Sequence, residues 1–190
     1  MSESLRGSLL IAAPQLLDPN FRRTVVLVAD HGDEGAMGVI LNRPSGMTVA
    51  DAAPDLEPLV GPDAPIFAGG PVQPTAGVVL AEVAVARGDA EGAPLAMNEP
   101  VFGDVVLVPG LGELADVVDG AGNIRVFAGY AGWGPGQLDD ELGREDWITT
   151  PAQASDVFSE EPESLWGSVL ERKGGQYALL ARMPDDPSQN

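Results

Sequence analysis

The glycine-rich segment 129–136 is the part of the chain whose residue types and spacing most strongly suggest chemistry. It follows an apolar stretch at 124–129 and precedes a short helical pattern at 137–142. A strand, a glycine turn and a helix N-terminus together can bind an anion through free backbone N–H groups. The last three glycines have the spacing G-x-G-x-G, which matches neither the dinucleotide fingerprint nor the P-loop, and the acids that follow would repel a phosphate. The favoured role is therefore a tight structural turn that Tyr130 and Trp133 anchor to the core.

His31 is the single histidine of the chain and lies in a polar loop predicted at 30–35. A histidine in a loop could act as a general base or as a pH-sensitive contact. Asp30 and Asp33 are close in sequence, but no recognisable motif ties a serine or carboxylate nucleophile to the imidazole. We therefore favour a structural or surface hydrogen-bonding role, with catalysis as the alternative.

Two further groups of charged residues could bind ions. The acids at 139–146 could hold a hard cation, but they lack the spacing of an EF-hand loop, so a solvated surface is favoured. Arg22 and Arg23 could bind an anionic ligand or an acidic partner, although pairing with the chain's own carboxylates is the simpler interpretation. With no cysteine and one histidine, thiolate and multi-histidine metal sites are excluded within one chain. We predict no metal and no cofactor, and we assign no catalytic residue.

The elements that must position these residues follow from the apolar patterns. Short, partly β-branched runs predict strands at 8–13, 24–29, 36–41, 66–68, 77–84, 104–108 and 124–129. The loop 30–35 makes the second and third of these a hairpin. A strand–helix–strand order over 104–129 predicts a right-handed parallel crossover. Residues 54–65 and 87–100 are predicted to be irregular.

Capping signals and periodicity complete the prediction. Helices are expected at 49–53 with Thr48 as the N-cap, at 111–118, at 137–142, at 151–158 opened by Thr150 and Pro151, and at 160–173. A last strand is expected at 177–181. The chain is thus predicted to be an α/β (α+β) protein, with one domain at 1–183 and a frayed tail at 184–190.

Composition and charge limit the function classes. The chain has 190 residues, 44% of them hydrophobic, and a net charge of −19. The first 50 residues carry four basic and five acidic residues, so nearly all of the excess lies further along the chain. Nucleic-acid binding depends on neutralising phosphates with Lys and Arg, so the charge opposes it. No apolar stretch approaches the length of a membrane span, and no secretory signal is evident. A cytoplasmic protein is expected.

Several motifs occur in an order that resembles the bacterial YqgE/AlgH family over about residues 7–183. The segments that carry the resemblance are 10–14, 18–26, 35–44, 69–72, 129–133, 136–138 and the residues His31 and Trp147. The resemblance implies a mixed sheet flanked by helices with a smaller α/β portion. It implies no established enzymatic activity, and members are described either as uncharacterised or as candidate regulators of transcription. The motif positions expected to line a shared surface are Arg22, His31, Asn42, Arg43, Tyr130, Trp133 and Gln137.

Three functions remain open on this evidence. The first is a non-enzymatic regulatory or binding protein that acts through a small ligand or a protein partner. The second is a hydrolase, which requires His31 to meet Asn42 or Gln137 in one pocket. The third is direct DNA binding, which we rank last because the sequence contains no helix-turn-helix with a basic recognition helix.

Overall fold

A mixed sheet dominates the fold. The computed structural model describes residues 4–83, 100–109 and 121–183. Nine strands form the sheet in this part of the chain. They are β1 (Ser8–Ala12), β2 (Val25–Gly32), β3 (Gly35–Ile40), β4 (Pro44–Thr48), β5 (Pro65–Ala68), β6 (Val72–Val83), β7 (Val105–Pro109), β8 (Ala121–Trp133) and β9 (Trp147–Pro151). Their order is β4-β5-β8-β3-β2-β1-β9, with β6 also on β8 and β7 on β6.

The predicted mixed α/β architecture is confirmed. β5 and β8 pair in parallel, while the other strand pairs are antiparallel. The hairpin of β2 and β3 forms as expected, although β2 is longer than predicted and only residues 33–34 lie between the two strands. β7 and β8 both pair antiparallel with β6, so they run parallel to each other, as the predicted crossover requires. The predicted helix 111–118 lies outside the described residues, as does the stretch 87–100 apart from Pro100.

Short helices cover both faces of this sheet. They are α1 (Val49–Ala52), α2 (Glu57–Val60), α3 (Gln137–Gly143), α4 (Ala154–Val157), α5 (Leu165–Lys173) and α6 (Gln176–Leu180), with 3-10 turns at Pro54–Leu56 and Pro162–Ser164. The predicted cap of α1 is confirmed, because Thr48 and Asp51 form a reciprocal capping box. Among the described residues, no helix is long and apolar enough to cross a membrane.

Three predicted elements were wrong. Residues 54–65, expected to be irregular, contain helical turns, where Leu56 packs into the core with 3% exposure. Pro151 does not open a helix but ends the edge strand β9, where a missing N–H is tolerated. The expected strand at 177–181 is the helix α6, since Tyr177, Leu180 and Ala181 contact the core at helical spacing.

The glycine-rich turn predicted after residue 129 was also wrong, because β8 continues through it. Ala131, Gly132 and Trp133 pair with β3. β8 therefore spans 13 residues and joins both halves of the sheet.

Alternation along the strands explains the continuous apolar runs. Leu9 and Leu27 face one core cluster, which α4, α5 and α6 cover, whereas Leu10 and Val26 face the cluster next to α3. A third cluster lies between α1, α2 and the strands β5 to β8, and this is the predicted smaller α/β portion. Strands buried on both faces need apolar residues at every position.

A backbone crossing connects the two edges of β8. β5 and β6 both pair with Val126–Ala128, so they must lie on opposite edges of β8. The chain between them passes over β8 at Gly69 and Gly70. A Cβ on Gly70 would lie 2.2 Å from the carbonyl carbon of Tyr130, and one on Gly69 would lie 2.2 Å from the Gly129 oxygen. Only glycine permits backbones to approach so closely.

We predict that Gly70→Ala lowers the free energy of unfolding by about 3 kcal/mol, because the two backbones must separate. Gly46→Ala is the matched control. Gly46 also has a positive φ of 82°, but a Cβ there would meet nothing within 4 Å, so a loss of about 1 kcal/mol is expected from conformational strain alone. Urea denaturation of both variants measures the difference, and equal losses would contradict the crossing argument.

Candidate functional site

An open cavity of about 630 Å³ lies where β2 begins and β3 ends. Its volume is in the range of small-molecule binding sites. The sheet side is lined by Arg23, Asn42, Arg43, Pro44 and Ala68, and the helix side by Glu163, Ser164, Trp166, Gly167 and Ala181. Two guanidinium groups thus border one cavity in a strongly acidic chain.

Asn42 fixes the backbone at the floor of this cavity. Its side chain is 9% exposed, its Oδ1 accepts from the Val25 N–H at 2.8 Å, and its Nδ2 donates to the Arg23 carbonyl at 2.9 Å. These bonds extend the pairing of β2 and β3 beyond the last strand residues. Asn42 therefore positions Arg23 and Arg43, and both polar atoms of its amide group bond to the backbone.

Arg43 is held by the turn that precedes β2. Its Nη1 donates to the Asn20 carbonyl at 2.8 Å and its Nη2 to the Arg22 carbonyl at 3.0 Å. These bonds use two of the five N–H donors of a guanidinium. Burial lowers the pKa of Arg43 from its ordinary value, and the Asp18 carboxylate opposes that shift. Arg43 therefore presents a preoriented positive charge with donors to spare.

Arg23 supplies the second charge. Its guanidinium carbon lies 4.4 Å from the centre of the Trp166 ring, a cation–π contact, and its Nη2 donates to the Met183 carbonyl. Trp166 is itself fixed by a 2.9 Å bond from Nε1 to the Ala12 carbonyl. Arg22 is exposed, and its carbonyl accepts a hydrogen bond from Arg43. The sequence analysis named both arginines as possible anion-binding residues but placed only Arg22 on the surface expected to be shared by the family. The backbone at Arg23 has a left-handed φ of 54°, a conformation that no sequence pattern indicates.

Trp133 and Gln137 belong to a different cluster, which is centred on Glu141. Oε2 of Glu141 accepts from Nε1 of Trp133 at 2.9 Å and from Nε1 of Trp147 at 2.8 Å. Oε1 accepts from Nε2 of Gln137 at 2.9 Å. The carboxylate thereby joins β8, α3 and β9, while the Phe21 ring packs on both indoles with centroid distances of 6.2 and 5.6 Å.

Tyr130 and Trp133 pack into the core as the structural interpretation of the glycine-rich segment expected, although the segment is a strand and not a turn. Trp133 is 6% exposed and Tyr130 packs against the core covered by α5. The Gly134 N–H donates to Oε1 of Gln137 at 3.1 Å, so the polar groups at the start of α3 bond to one another. The segment is a strand followed by a side-chain network, and this arrangement offers no anion cradle.

His31 lies at the other end of the hairpin. It is in β2 rather than in a loop, opposite Ala36, and its Nδ1 accepts from the Leu5 N–H at 3.0 Å. Six residues separate it from Val25, the partner of Asn42, which places the two side chains roughly 20 Å apart along the strand. His31 and Asn42 therefore do not meet in one pocket, so the form of the hydrolase hypothesis that pairs these two residues is not supported. Within the described ranges no group of three or more His, Asp or Glu side chains is placed to hold a metal ion.

Comparisons with known proteins agree with this architecture. A family model described as AlgH-like matches residues 9–178. A UPF0301 protein of Streptomyces coelicolor is 46% identical over 189 residues, covering 98% of this chain and 96% of that protein. A UPF0301 protein of Thermobifida fusca is 43% identical, with 98% and 96% covered.

Two solved structures are also similar. The crystal structure of a Corynebacterium diphtheriae protein matches with a TM-score of 0.79 and 28% identity, covering 96% of this chain and 94% of that one. The solution structure of the AlgH protein from Pseudomonas aeruginosa matches with a TM-score of 0.69 and 30% identity, covering 98% and 100%. Neither description states an activity.

We predict that Glu141→Ala lowers the free energy of unfolding by about 2–3 kcal/mol, because two largely buried indole N–H groups lose their acceptor. Asp140→Ala, an exposed neighbour in the same helix, is the control and should change stability by less than about 0.5 kcal/mol. Denaturation followed by tryptophan fluorescence measures both variants. A Glu141 variant as stable as the control would show that the carboxylate does not join the three elements.

Proposed function

The chain belongs to the AlgH-like family, and from that premise we propose that it is a non-catalytic binding protein whose ligand is a small anion. The anion, a carboxylate or a phosphate, is held between Arg23 and Arg43. The observation that carries the proposal is the pair of guanidinium groups on one ligand-sized cavity. Such groups match the geometry of carboxylate and phosphate oxygens and bond them with charge assistance.

The electrostatics of the cavity support an anion. Glu163 is the single acid among the described lining residues, and it is exposed. The chain as a whole has a net charge of −19, so a site that attracts anions must do so by local geometry. Arg43 meets that need because backbone carbonyls hold its charge in place before any ligand arrives.

We propose that any regulatory effect of the protein is indirect. We place the protein in the cytoplasm, where it acts through its bound ligand or through a protein partner. Direct binding to DNA is disfavoured, because a polyanion would meet the acidic surface of the whole chain. An electrophoretic mobility assay tests this point: no shift is expected at low salt, and a shift that weakens as salt is added would contradict it.

Calorimetric titration with inorganic phosphate, pyrophosphate, acetate and citrate tests the anion site. Arg43→Gln should weaken binding of the best of these anions at least about tenfold, since a charge-assisted bond is lost. Arg144→Gln is the matched control. Arg144 is 61% exposed, pairs with Asp146 away from the cavity, and its loss should leave affinity unchanged.

A second pair of variants keeps every arginine contact intact. Gly167 lines the cavity, and a Cβ there makes only an ordinary 3.8 Å contact with the Ala181 carbonyl. Gly167→Glu adds a negative charge and should abolish anion binding, whereas Gly167→Gln should retain it. Equal affinity of these two variants, or no binding of any of the four anions, would overturn the proposed function.

A further inference from the structure

A second cavity, of about 530 Å³, lies on the other side of α6 from the arginine cavity. Eight of its thirteen lining residues are apolar or aromatic, among them Ile148, Tyr177, Leu180 and Met183, and the polar ones include Glu145 and Lys173. Ala181 faces the arginine cavity, whereas its neighbours Leu180 and Met183 face the apolar one. Residues 176–183, here called the α6 segment, therefore form the wall between the two cavities.

This wall is only partly buried, although Tyr177, Leu180 and Ala181 contact the core. None of the five residues of α6 is buried, and Leu179 is 68% exposed. Gly174 and Gly175 precede the helix with φ values of 76° and 58°, and a Cβ on either would meet nothing within 4 Å. Few buried contacts and two consecutive glycines are the features of a segment that opens at low cost.

Arg23, a residue of the anion site, holds the C-terminal end of the α6 segment. Nη2 of Arg23 donates to the Met183 carbonyl, while the same guanidinium lines the arginine cavity. An ionised carboxylate or phosphate is a stronger acceptor for a guanidinium than a neutral carbonyl is. An anion that binds Arg23 through Nη2 therefore competes with the bond that holds Met183.

We infer that the two cavities are halves of one groove and that the ligand is an amphipathic anion. Its charged head lies between Arg23 and Arg43, and its apolar chain passes beneath the α6 segment into the second cavity. The inference rests on the proposed function, because it uses the same arginines for the head group. It adds the ligand class and a conformational step, the displacement of Met183 from Arg23.

Titration with acetate, hexanoate and dodecanoate below their micelle-forming concentrations tests the groove. Each buried methylene contributes up to about fourfold in affinity, so dodecanoate should bind at least about a hundredfold more tightly than acetate. Dodecyltrimethylammonium has the same chain with a positive head and should bind at least about tenfold more weakly than dodecanoate. Arg43→Gln should weaken dodecanoate binding, as it does for the small anions.

Variants in the second cavity distinguish binding of the ligand's apolar chain from binding of its charged head. Met183→Gln should weaken dodecanoate at least about fivefold and leave acetate unchanged, and it leaves the carbonyl that Arg23 binds in place. Leu180→Gln should act in the same direction. Leu179→Gln is the control, because Leu179 lies on the same helix but does not line the cavity.

The outcomes distinguish the two proposals. Affinity that stays flat with chain length, while small anions still bind in an Arg43-dependent manner, overturns the groove and leaves the proposed function standing. Equal effects of Met183→Gln and Leu179→Gln on dodecanoate also overturn the groove. Binding of dodecanoate that does not depend on Arg43 overturns the head site of the groove, whereas binding of the small anions that does not depend on Arg43 overturns the proposed function.

Discussion

The structure depends on one close contact between two backbones, where residues 69–70 cross β8 at residues 129–130. β8 pairs with β5 and β6 on opposite edges and with β3 further along. The crossing is possible only because residues 69 and 70, whose Cβ atoms would clash with the β8 backbone, are both glycine. Gly69 also accepts a bond from the Ile40 N–H at 2.8 Å, which joins the end of β3 to the same point. The crossing thereby sets the position of Ala68 and Asn42, two residues of the cavity wall.

Positive charge at the cavity arises from local geometry within an acidic chain. The carbonyl groups of Asn20 and Arg22 hold Arg43, and the Trp166 ring holds Arg23. A third guanidinium on the helix-covered face, Arg125, stacks on Phe67 and donates to the Ser159 carbonyl at 2.6 Å. Burial lowers the pKa of Arg125 to about 10, so it keeps its charge at neutral pH. The fold thus brings three guanidinium groups close to α5 and the turn that precedes it.

The motif residues have two kinds of role. Asn42, Trp133 and Gln137 use their polar groups inside the protein, for strand pairing and for the Glu141 network. Arg43 combines backbone contacts with an open cavity. A polar or aromatic residue in a motif at a strand end is consistent with either role, and the difference lies in whether its hydrogen-bonding groups already have partners. Val25, the partner of Asn42, lies 17 residues away in the sequence, so this pairing cannot be inferred from local pattern, whereas Gln137 and Glu141 are four residues apart on one helix.

The sequence by itself determined the parts that depend on local pattern: the buried strands, the β2–β3 hairpin, the cap at Thr48, the apolar face of α5 and the family resemblance. Tertiary structure decided the rest. The segment 177–181 is a helix because its apolar residues meet the core at helical spacing, and Gly129–Trp133 is a strand because β3 pairs with it. The tertiary structure also decided that His31 and Asn42 lie at opposite ends of one hairpin. It likewise decided that Arg23 and Arg43 line the same cavity. Strand pairing and side-chain partners form between residues far apart in the chain, so local propensity does not encode them.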